Sequence, residues 1–417
     1  MITVTKKEEC CGCTACASIC PQECISMKVD EEGFMYPSVN QGKCVNCHIC
    51  EKVCPIANND KLNCVTAATI DIKEITENAI EKEKILPDCY AAFLKDNNAR
   101  NDSTSGGVFT ALAEYVLQQH GKVYGVEIAK DNRVVHSCVE NMKYLGKYRH
   151  SKYVQSDQNG IFKRIKSDLE SGRWVLYSGT PCQVAGLLAF LQKNYAALIT
   201  VDVFCHGVGS PKYWQKYTQY MEKEYSSKIE KVVFREKTYG YNSACLAVYF
   251  NNGKSSHKGH DDDYYWSVFS KCLIFRPSCY SCPFKRILHK SDFSIGDYWD
   301  NKELGPEFEN ANGCSLLLVH TEKGKAILKR LTDIIVSEKV ELEKALVING
   351  SHQPSMLISS SVLPKGRETI FSDIDTMSMS QLFSKYTPLG KKKQLMCRIK
   401  PFLFKLGVLE FAKKIKR

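Results

Sequence analysis

Long apolar runs are missing from this sequence of 417 residues. It contains no stretch of about 18 uninterrupted apolar residues, the length that a membrane-spanning helix requires. The segment from Met1 to Lys7 also lacks the apolar core of a secretory signal. We therefore expect a cytoplasmic protein rather than a secreted or integral membrane protein.

Two catalytic motifs and one charge pattern are missing as well. There is no G-x-x-x-x-G-K-[ST] phosphate loop, as in NTPases, and no Ser/His/Asp pattern typical of hydrolases. Residues 385–417 hold eleven Lys or Arg and one acid, Glu410, so +10 of the net charge of +11 lies there and +1 remains for residues 1–384. The body of the chain is close to neutral, and we expect no nucleic-acid partner.

Cysteine, in contrast, is abundant, with 21 residues. Disulfides do not explain them, because cytosolic thiols are kept reduced. Short fixed spacings indicate metal ligation instead. Two runs of the form C-x2-C-x2-C-x3-C-P occur near the start of the chain, with the cysteines at Cys10, Cys13, Cys16 and Cys20 and at Cys44, Cys47, Cys50 and Cys54.

This spacing is typical of a bacterial-type ferredoxin with two 4Fe-4S clusters, in which the fourth cysteine of each run binds the other run's cluster. The predicted ligand sets are Cys10, Cys13, Cys16 and Cys54 for one cluster, and Cys44, Cys47, Cys50 and Cys20 for the other. A zinc ribbon is the alternative, but it usually shows two C-x2-C pairs. Cys11 and Cys24 fall off the pattern, and we interpret both as small buried apolar residues.

The remaining chain divides by composition. We predict a ferredoxin-type domain over residues 1–58, a charged linker over 59–88, a larger domain over 89–365 and a basic tail over 366–417. From Cys89 onward, short apolar runs alternate with helical patterns, which indicates an α/β fold. Three strand–turn–helix units are predicted, followed by a hairpin of residues 232–234 and 247–250 that turns near 251–253.

A second group of cysteines lies in the larger domain. Cys182 and Cys205 each follow a predicted strand, so both are expected at the same end of the sheet. Cys279 and Cys282 add a C-x2-C pair followed by proline. Four thiolates suffice for a third 4Fe-4S cluster or for a structural zinc ion, and the spacing alone leaves both open. The isolated cysteines are expected to be buried free thiols: Cys64, Cys89, Cys138, Cys245, Cys272, Cys314 and Cys397.

At this point the sequence resembles the coenzyme F-420 hydrogenase/dehydrogenase beta-subunit family. The matching segments are 103–108, 151–156, 178–186, 202–211, 276–283 and 294–299, together with the ferredoxin-type domain. The resemblance implies FAD and a 4Fe-4S cluster in the large domain, with Cys182, Cys205, Cys279 and Cys282 as its ligands. It also implies the surroundings of the flavin, namely Ser105, Gly106, Gly107, Lys152, Tyr153, Thr180, Gln183 and His206.

Other roles remain open for three of these positions. The turn 103–107 is equally explained as an ordinary helix cap. Lys152 is otherwise a solvated surface charge, and His206 is otherwise a hydrogen-bonding residue of a turn.

The expected fold is a small ferredoxin-like domain followed by a larger α/β flavin and iron–sulfur domain. The expected function is an oxidoreductase that exchanges a hydride between FAD and a small organic molecule, with single electrons passing through the clusters to a redox partner protein or subunit. Deazaflavin chemistry and surface-polysaccharide synthesis are two contexts that the family suggests. The alternatives are a non-enzymatic electron-transfer adaptor and a scaffold with structural zinc.

The basic tail is the last feature. Apolar residues between Leu395 and Leu409 share one helical face, which Pro401 interrupts, and lysines flank them. This pattern predicts either an interfacial helix attracted to anionic lipid or a helix docked on the protein's own surface.

Overall fold

The computed structural model describes residues 1–58, 86–299, 304–308, 312–346, 363–406 and 408. It separates into two compact units: unit 1 is Met1–Pro211 with Phe275–Leu363, and unit 2 is Lys212–Ile274 with Pro364–Arg417. These boundaries differ from those of the predicted domains, because unit 2 draws together a middle segment and the C-terminal segment. Most of the predicted linker, with Cys64, lies outside the described residues. Within those residues, no helix is both long and apolar enough to cross a membrane.

The N-terminal part of unit 1 is small. Its elements are α1 (Ala15–Ile19), β1 (Ile25–Val29), β2 (Met35–Val39) and α2 (Ile49–Lys52). The two strands pair antiparallel, with Ile25 opposite Val39. Left-handed residues, Thr14 and His48, precede the two helices. Each cysteine run is thus a tight loop that ends in a short helix.

Unit 1 continues with the elements β3 (Asp88–Leu94), α3 (Asn97–Asn101), α4 (Val108–Gln118), β4 (Lys122–Ile128), β5 (Val134–Val139), α5 (Ile161–Glu170), β6 (Val175–Gly179), α6 (Pro181–Leu191) and β7 (Leu198–Val203). The next segment contains α7 (Pro211–Glu224), β8 (Ile229–Glu236), β9 (Cys245–Phe250), β10 (Ser255–Lys258) and α8 (Trp266–Ser270). The chain continues with β11 (Phe293–Asp297), β12 (Ser315–Val319), α9 (Glu322–Lys329), β13 (Ile335–Lys339), α10 (Arg367–Asp373), α11 (Met379–Tyr386) and α12 (Lys391–Lys405).

An eight-stranded mixed sheet forms the framework of unit 1, in the order β13-β3-β12-β11-β7-β6-β4-β5. The four strands β4, β6, β7 and β11 run parallel, and antiparallel strands complete both edges. Leu198–Val203 is nearly all buried and apolar, as expected for a parallel strand covered on both faces. The predicted combination of a small ferredoxin-like region and a larger α/β domain is confirmed.

The parallel arrangement determines where the loops lie. β6 and β7 are neighbours, with Gly179 opposite Asp202. Their carboxyl ends therefore meet at one edge of the sheet, where the chain enters α6 and the turn after Val203. Cys182 and Cys205 follow these two strand ends.

Unit 2 contains a three-stranded antiparallel sheet in the order β10-β9-β8. Its helix α7 packs on the sheet through Trp214, whose ring centroid lies 5.0 Å from that of Phe234. Residues 251–253 were predicted to close the hairpin of 232–234 and 247–250. This prediction was wrong, because the turn joins β9 to β10. Ser255–Lys258 is short and polar, so its sequence gives little indication of a strand.

Candidate iron–sulfur sites

The second N-terminal group consists of Cys20, Cys44, Cys47 and Cys50. All four line one recess between the hairpin and α2, and Cys24 lines it as well. The backbone N–H of Ile2 donates to Cys50 Sγ at 3.3 Å. The fold thus brings the fourth cysteine of the first run to the first three of the second run, which is the crossed arrangement that two adjacent clusters need.

The first N-terminal group consists of Cys10, Cys13, Cys16 and Cys54. Burial raises the pKa of Cys16 to about 12, together with smaller contributions from the nearby thiols of Cys10, Cys54 and Cys50. The backbone N–H of Gly12 donates to Cys10 Sγ at 3.4 Å. A thiol buried among others, like that of Cys16, does not ionise readily on its own, whereas bound iron would stabilise the thiolate. The donor set therefore fits an iron–sulfur cluster.

The large-domain group consists of Cys182, Cys205, Cys279 and Cys282. All four line a single recess at the carboxyl ends of β6 and β7. Burial raises the pKa of Cys205 well above its ordinary value. The nearby thiols of Cys279, Cys182 and Cys282 act in the same direction to a smaller extent. The four cysteines come from three separate segments, and the fold collects them at one point. Their donor set fits a third cluster by the same reasoning.

Cys11 lies at this recess too, which the sequence did not indicate. It is 8% exposed, as expected for a buried residue, but it packs in one side-chain cluster with both Cys13 and Cys182. Cys13 also packs on α6, where a Cβ added at Gly186 would lie 2.8 Å from Cys13 Sγ. Cys11 thus connects the first N-terminal group with the large-domain group.

Arg276 also links the first cysteine loop to the large domain, and sequence analysis assigned this residue no role. Its side chain is 1% exposed. Its Nε donates to the carbonyl oxygen of Cys10 at 2.7 Å, Nη2 to that of Met35 at 3.0 Å, and Nη1 to Gln155 Oε1 at 2.8 Å. Gln155 in turn donates from Nε2 to the carbonyl oxygen of Cys11 at 3.1 Å. A single buried guanidinium therefore holds the first cysteine loop against the segment that leads to Cys279.

The residues expected around a flavin at the turn 103–107 make contacts within the protein. Ser105 Oγ donates to the carbonyl oxygen of Cys314 at 2.6 Å. A Cβ added at Gly106 would lie 2.3 Å from the carbonyl oxygen of Ala92, so the glycine is required by backbone packing. Gly107 has a left-handed φ of +86° and precedes α4. The turn is thus shaped by packing and by the left-handed Gly107, and no side chain caps the start of α4. The flavin role of Ser105, Gly106 and Gly107 stays a prediction.

Three further expected flavin residues are also held by the protein. Lys152 donates from Nζ to the carbonyl oxygens of Lys147 at 2.9 Å and Arg149 at 2.7 Å, and burial lowers its pKa to about 7. This position is not that of a solvated surface charge. The carbonyl of Tyr153 accepts from the backbone N–H of Gly209 at 3.3 Å. Burial lowers the pKa of His206 to about 4, so its ring is neutral at physiological pH.

Thr180 and Gln183 lie beside the large-domain group. They form a reciprocal capping box at the start of α6, in which the backbone N–H of Thr180 donates to Gln183 Oε1 at 2.9 Å. Thr180 Oγ1 lies 3.1 Å from Cys182 Sγ. Gln183 Nε2 donates to Ser156 Oγ at 3.0 Å. These two residues thus orient Cys182 and the helix that carries it.

Comparisons with known proteins find two family models that match parts of the chain. Residues 172–345 match the family model for the C-terminal part of the coenzyme F-420 hydrogenase/dehydrogenase beta subunit. Residues 9–58 match the model of a 4Fe-4S dicluster domain. None of the curated proteins compared with the chain matches it significantly. A chain of the xenon-derivatized F-420-reducing [NiFe] hydrogenase complex from Methanosarcina barkeri is 16% identical with a TM-score of 0.45, over 69% of this chain and 92% of that one.

Proposed function

Because the chain joins a 4Fe-4S dicluster domain to the C-terminal domain of the coenzyme F-420 hydrogenase/dehydrogenase beta-subunit family, we propose that it is an iron–sulfur oxidoreductase with three clusters in series. The observation that carries the proposal is the position of Cys11, whose thiol contacts Cys13 on one side and Cys182 on the other. The three groups would then form a continuous path between the large domain and a redox partner protein or subunit.

Each part of this path has a role for the protein's own residues. A 4Fe-4S cluster supplies one-electron transfer when it is bound. Cys182, Cys205, Cys279 and Cys282 would hold the cluster of the large domain. Arg276 keeps the loop of Cys10 and Cys11 in place, and the capping box of Thr180 and Gln183 orients Cys182. Cys16 of the first N-terminal group lies near Cys50 of the second, so the two groups are adjacent.

Two-electron chemistry is the finer part of the proposal. The family resemblance supports FAD, with hydride exchange to a small organic molecule such as a deazaflavin coenzyme or an intermediate of surface-polysaccharide synthesis. Of the eight residues expected around the flavin, Ser105 and Gly106 also pack against the protein's own backbone. We therefore assign no catalytic step to these residues.

The same observation favours a second candidate function. If the turn 103–107 serves packing alone, the chain is an electron-transfer adaptor that docks a partner enzyme and carries clusters without flavin. The two candidates share the three cysteine groups and differ only in the flavin.

Purification under strict anaerobic conditions tests both candidates. We expect about twelve irons and twelve acid-labile sulfides per chain, the content of three cubes. Bound flavin identified by its absorption and by mass spectrometry after acid release would favour the oxidoreductase, and its absence after reconstitution with FAD would favour the adaptor. About eight irons with one zinc in the large domain would contradict the proposal of three clusters.

A further inference from the structure

A further group of side chains that could hold a metal ion lies in unit 2, on the three-stranded sheet. Glu236 and Cys245 are directly opposite each other on β8 and β9. His257 on β10 is opposite Ala247, two residues beyond Cys245 along β9. Because side chains alternate along a strand, all three residues project from the same face of the sheet. None of them belongs to the cysteine groups described above.

The three donor atoms are close enough to share one ion. Cys245 Sγ lies 3.9 Å from His257 Nδ1, and Glu236 Oε1 lies 3.3 Å from the same nitrogen. One sulfur, one nitrogen and one carboxylate oxygen all lie within 4.8 Å of one another. Ligands about 2.0–2.3 Å from a tetrahedral zinc ion are separated from each other by roughly 3.3–3.8 Å, so small side-chain movements would complete the site.

The surroundings hold these donors in place. Cys245 is fully buried, and Glu236 and His257 are partly buried. Tyr249 OH donates to Glu236 Oε2 at 2.6 Å. Thr238 donates from Oγ1 to the other carboxylate oxygen, and Ser255 Oγ lies 3.1 Å from His257 Nε2. The hydrogen bonds at Glu236 Oε2 and His257 Nε2 involve the outer atoms of these residues, and such bonds fix the orientation of ligands in known metal sites. The Thr238 hydroxyl instead contacts the inner atoms, Glu236 Oε1 and His257 Nδ1, so a bound ion would replace these two contacts.

We propose that Glu236, Cys245 and His257 bind one zinc ion. The mixture of a thiolate, an imidazole and a carboxylate suits zinc better than magnesium or calcium, which prefer oxygen alone. Binding would release the thiol proton of Cys245 to solvent and place the metal on His257 Nδ1. With three protein donors, the fourth position is open to water or to a small anionic ligand. This site departs from the expectation that Cys245 is an isolated buried thiol.

Metal analysis of the full chain tests the site. Protein purified anaerobically is incubated with zinc, freed of excess metal by gel filtration, and analysed for zinc and iron. We expect about one zinc per chain in addition to the cluster iron. Cys245→Ala and His257→Ala should each lose that zinc and keep the same iron content. Cys314→Ala is the matched control, since this buried cysteine belongs to unit 1, and the variant should retain the zinc.

X-ray absorption at the zinc edge adds a readout that misfolding does not imitate. The expected first shell contains one sulfur near 2.3 Å and nitrogen or oxygen near 2.0–2.1 Å, roughly the distances of such zinc sites. Glu236→Gln keeps the side-chain shape and should weaken zinc retention, with circular dichroism unchanged. Zinc absent from the unsubstituted protein, zinc retained by both Cys245→Ala and His257→Ala, or a shell of several sulfurs would each overturn the proposal.

Discussion

The guanidinium of Arg276 donates from Nε to the carbonyl oxygen of Cys10 at 2.7 Å. The two residues are 266 positions apart in the sequence, and the contact joins the first cysteine loop to the segment that carries Cys279 and Cys282. The same side chain lies over the ring of Tyr36, with 4.2 Å between the guanidinium carbon and the ring centroid. The N-terminal module is therefore attached to the large domain by a buried cation, not only by apolar contacts.

Arg276→Lys tests this attachment. A lysine keeps the charge but cannot reproduce three donations in a fixed fork, so buried acceptors would lose partners. We expect local opening of residues 8–13 to become about 2–4 kcal/mol more favourable, measured by hydrogen exchange on the reconstituted protein.

An exposed ion pair that joins the same two parts provides the control. Lys163 Nζ lies 2.7 Å from Glu23 Oε1, and the two side chains are 50% and 75% exposed. Because water screens such a pair, Lys163→Ala should change the opening free energy much less than Arg276→Lys does. Equal effects of the two substitutions would show that Arg276 has no special role.

Cys282→Ser tests the large-domain group. Removing one of four thiolates from the recess should release about four of roughly twelve irons and leave the N-terminal clusters visible by electron paramagnetic resonance. Cys314→Ser should keep all the iron, because Cys314 is a buried thiol just before β12 and does not line the recess. If Cys282→Ser retains its full iron content, the third cluster is not held by these cysteines.

Cys11 and Cys24 form a matched pair for testing the path between clusters. Neither belongs to a predicted ligand set, and Cys24 Sγ lies 3.3 Å from Cys20 Sγ, in the second N-terminal group. Replacement of either by alanine should leave the iron content unchanged. Only Cys11→Ala should slow electron transfer between the large domain and the N-terminal clusters, by several-fold, because Cys11 contacts Cys182. Rapid-freeze spectroscopy after photoreduction measures this rate, and equal rates in the two variants would contradict the role of Cys11.

His136 predicts a dependence of stability on pH. It is fully buried on β5, its Nε2 lies 3.1 Å from the carbonyl oxygen of Ser178, and Nδ1 has no hydrogen-bond partner among the described residues. Burial lowers its pKa from 6.5 to about 4. The unfolded chain therefore binds a proton between these values while the folded chain does not. The stabilisation is present above pH 6.5 and is lost as pH falls toward 4, by up to roughly 3 kcal/mol.

Hydrogen exchange of the β5 amides between pH 4 and 7, corrected for intrinsic rates, measures this loss. His136→Gln retains a donor for Ser178 but does not titrate, so its protection should vary less over this range. A protection profile that matches the unsubstituted protein at every pH would rule out His136 as the source.

Features of the fold and of the candidate sites that depend on neighbouring residues in the sequence could be predicted, whereas those that depend on contacts between distant segments could not. The short apolar runs that predicted an α/β fold include the buried strands Asp88–Leu94 and Leu198–Val203, because a strand covered on both faces is mostly apolar along its length. The fixed cysteine spacing likewise predicted the dicluster domain. Arg276, Cys11 and the residues around Cys245 were not predicted, since each acts through a partner on a distant segment or a neighbouring strand.

The tail helix α12 is docked on unit 2 along one side, and its attraction to anionic lipid stays a prediction. Leu403 packs against the sheet of unit 2, and Lys393 Nζ lies 2.6 Å from Asp261 Oδ1, so one side of the helix is docked. Leu395, Phe402 and Leu406 are 59%, 63% and 57% exposed. An exposed apolar stripe flanked by lysines is typical of helices that lie on anionic membranes.

We therefore expect the full chain to sediment with vesicles that contain anionic lipid, and less so at high salt, since screening weakens attraction to the surface. A chain truncated after Tyr386 should lose this binding. Phe402→Glu with Leu406→Glu should reduce it without changing the lysines, whereas Leu403→Ala should weaken docking of the helix and leave the exposed stripe in place. If the full and truncated chains bind the vesicles equally, the stripe has no role at membranes and the helix serves unit 2 alone.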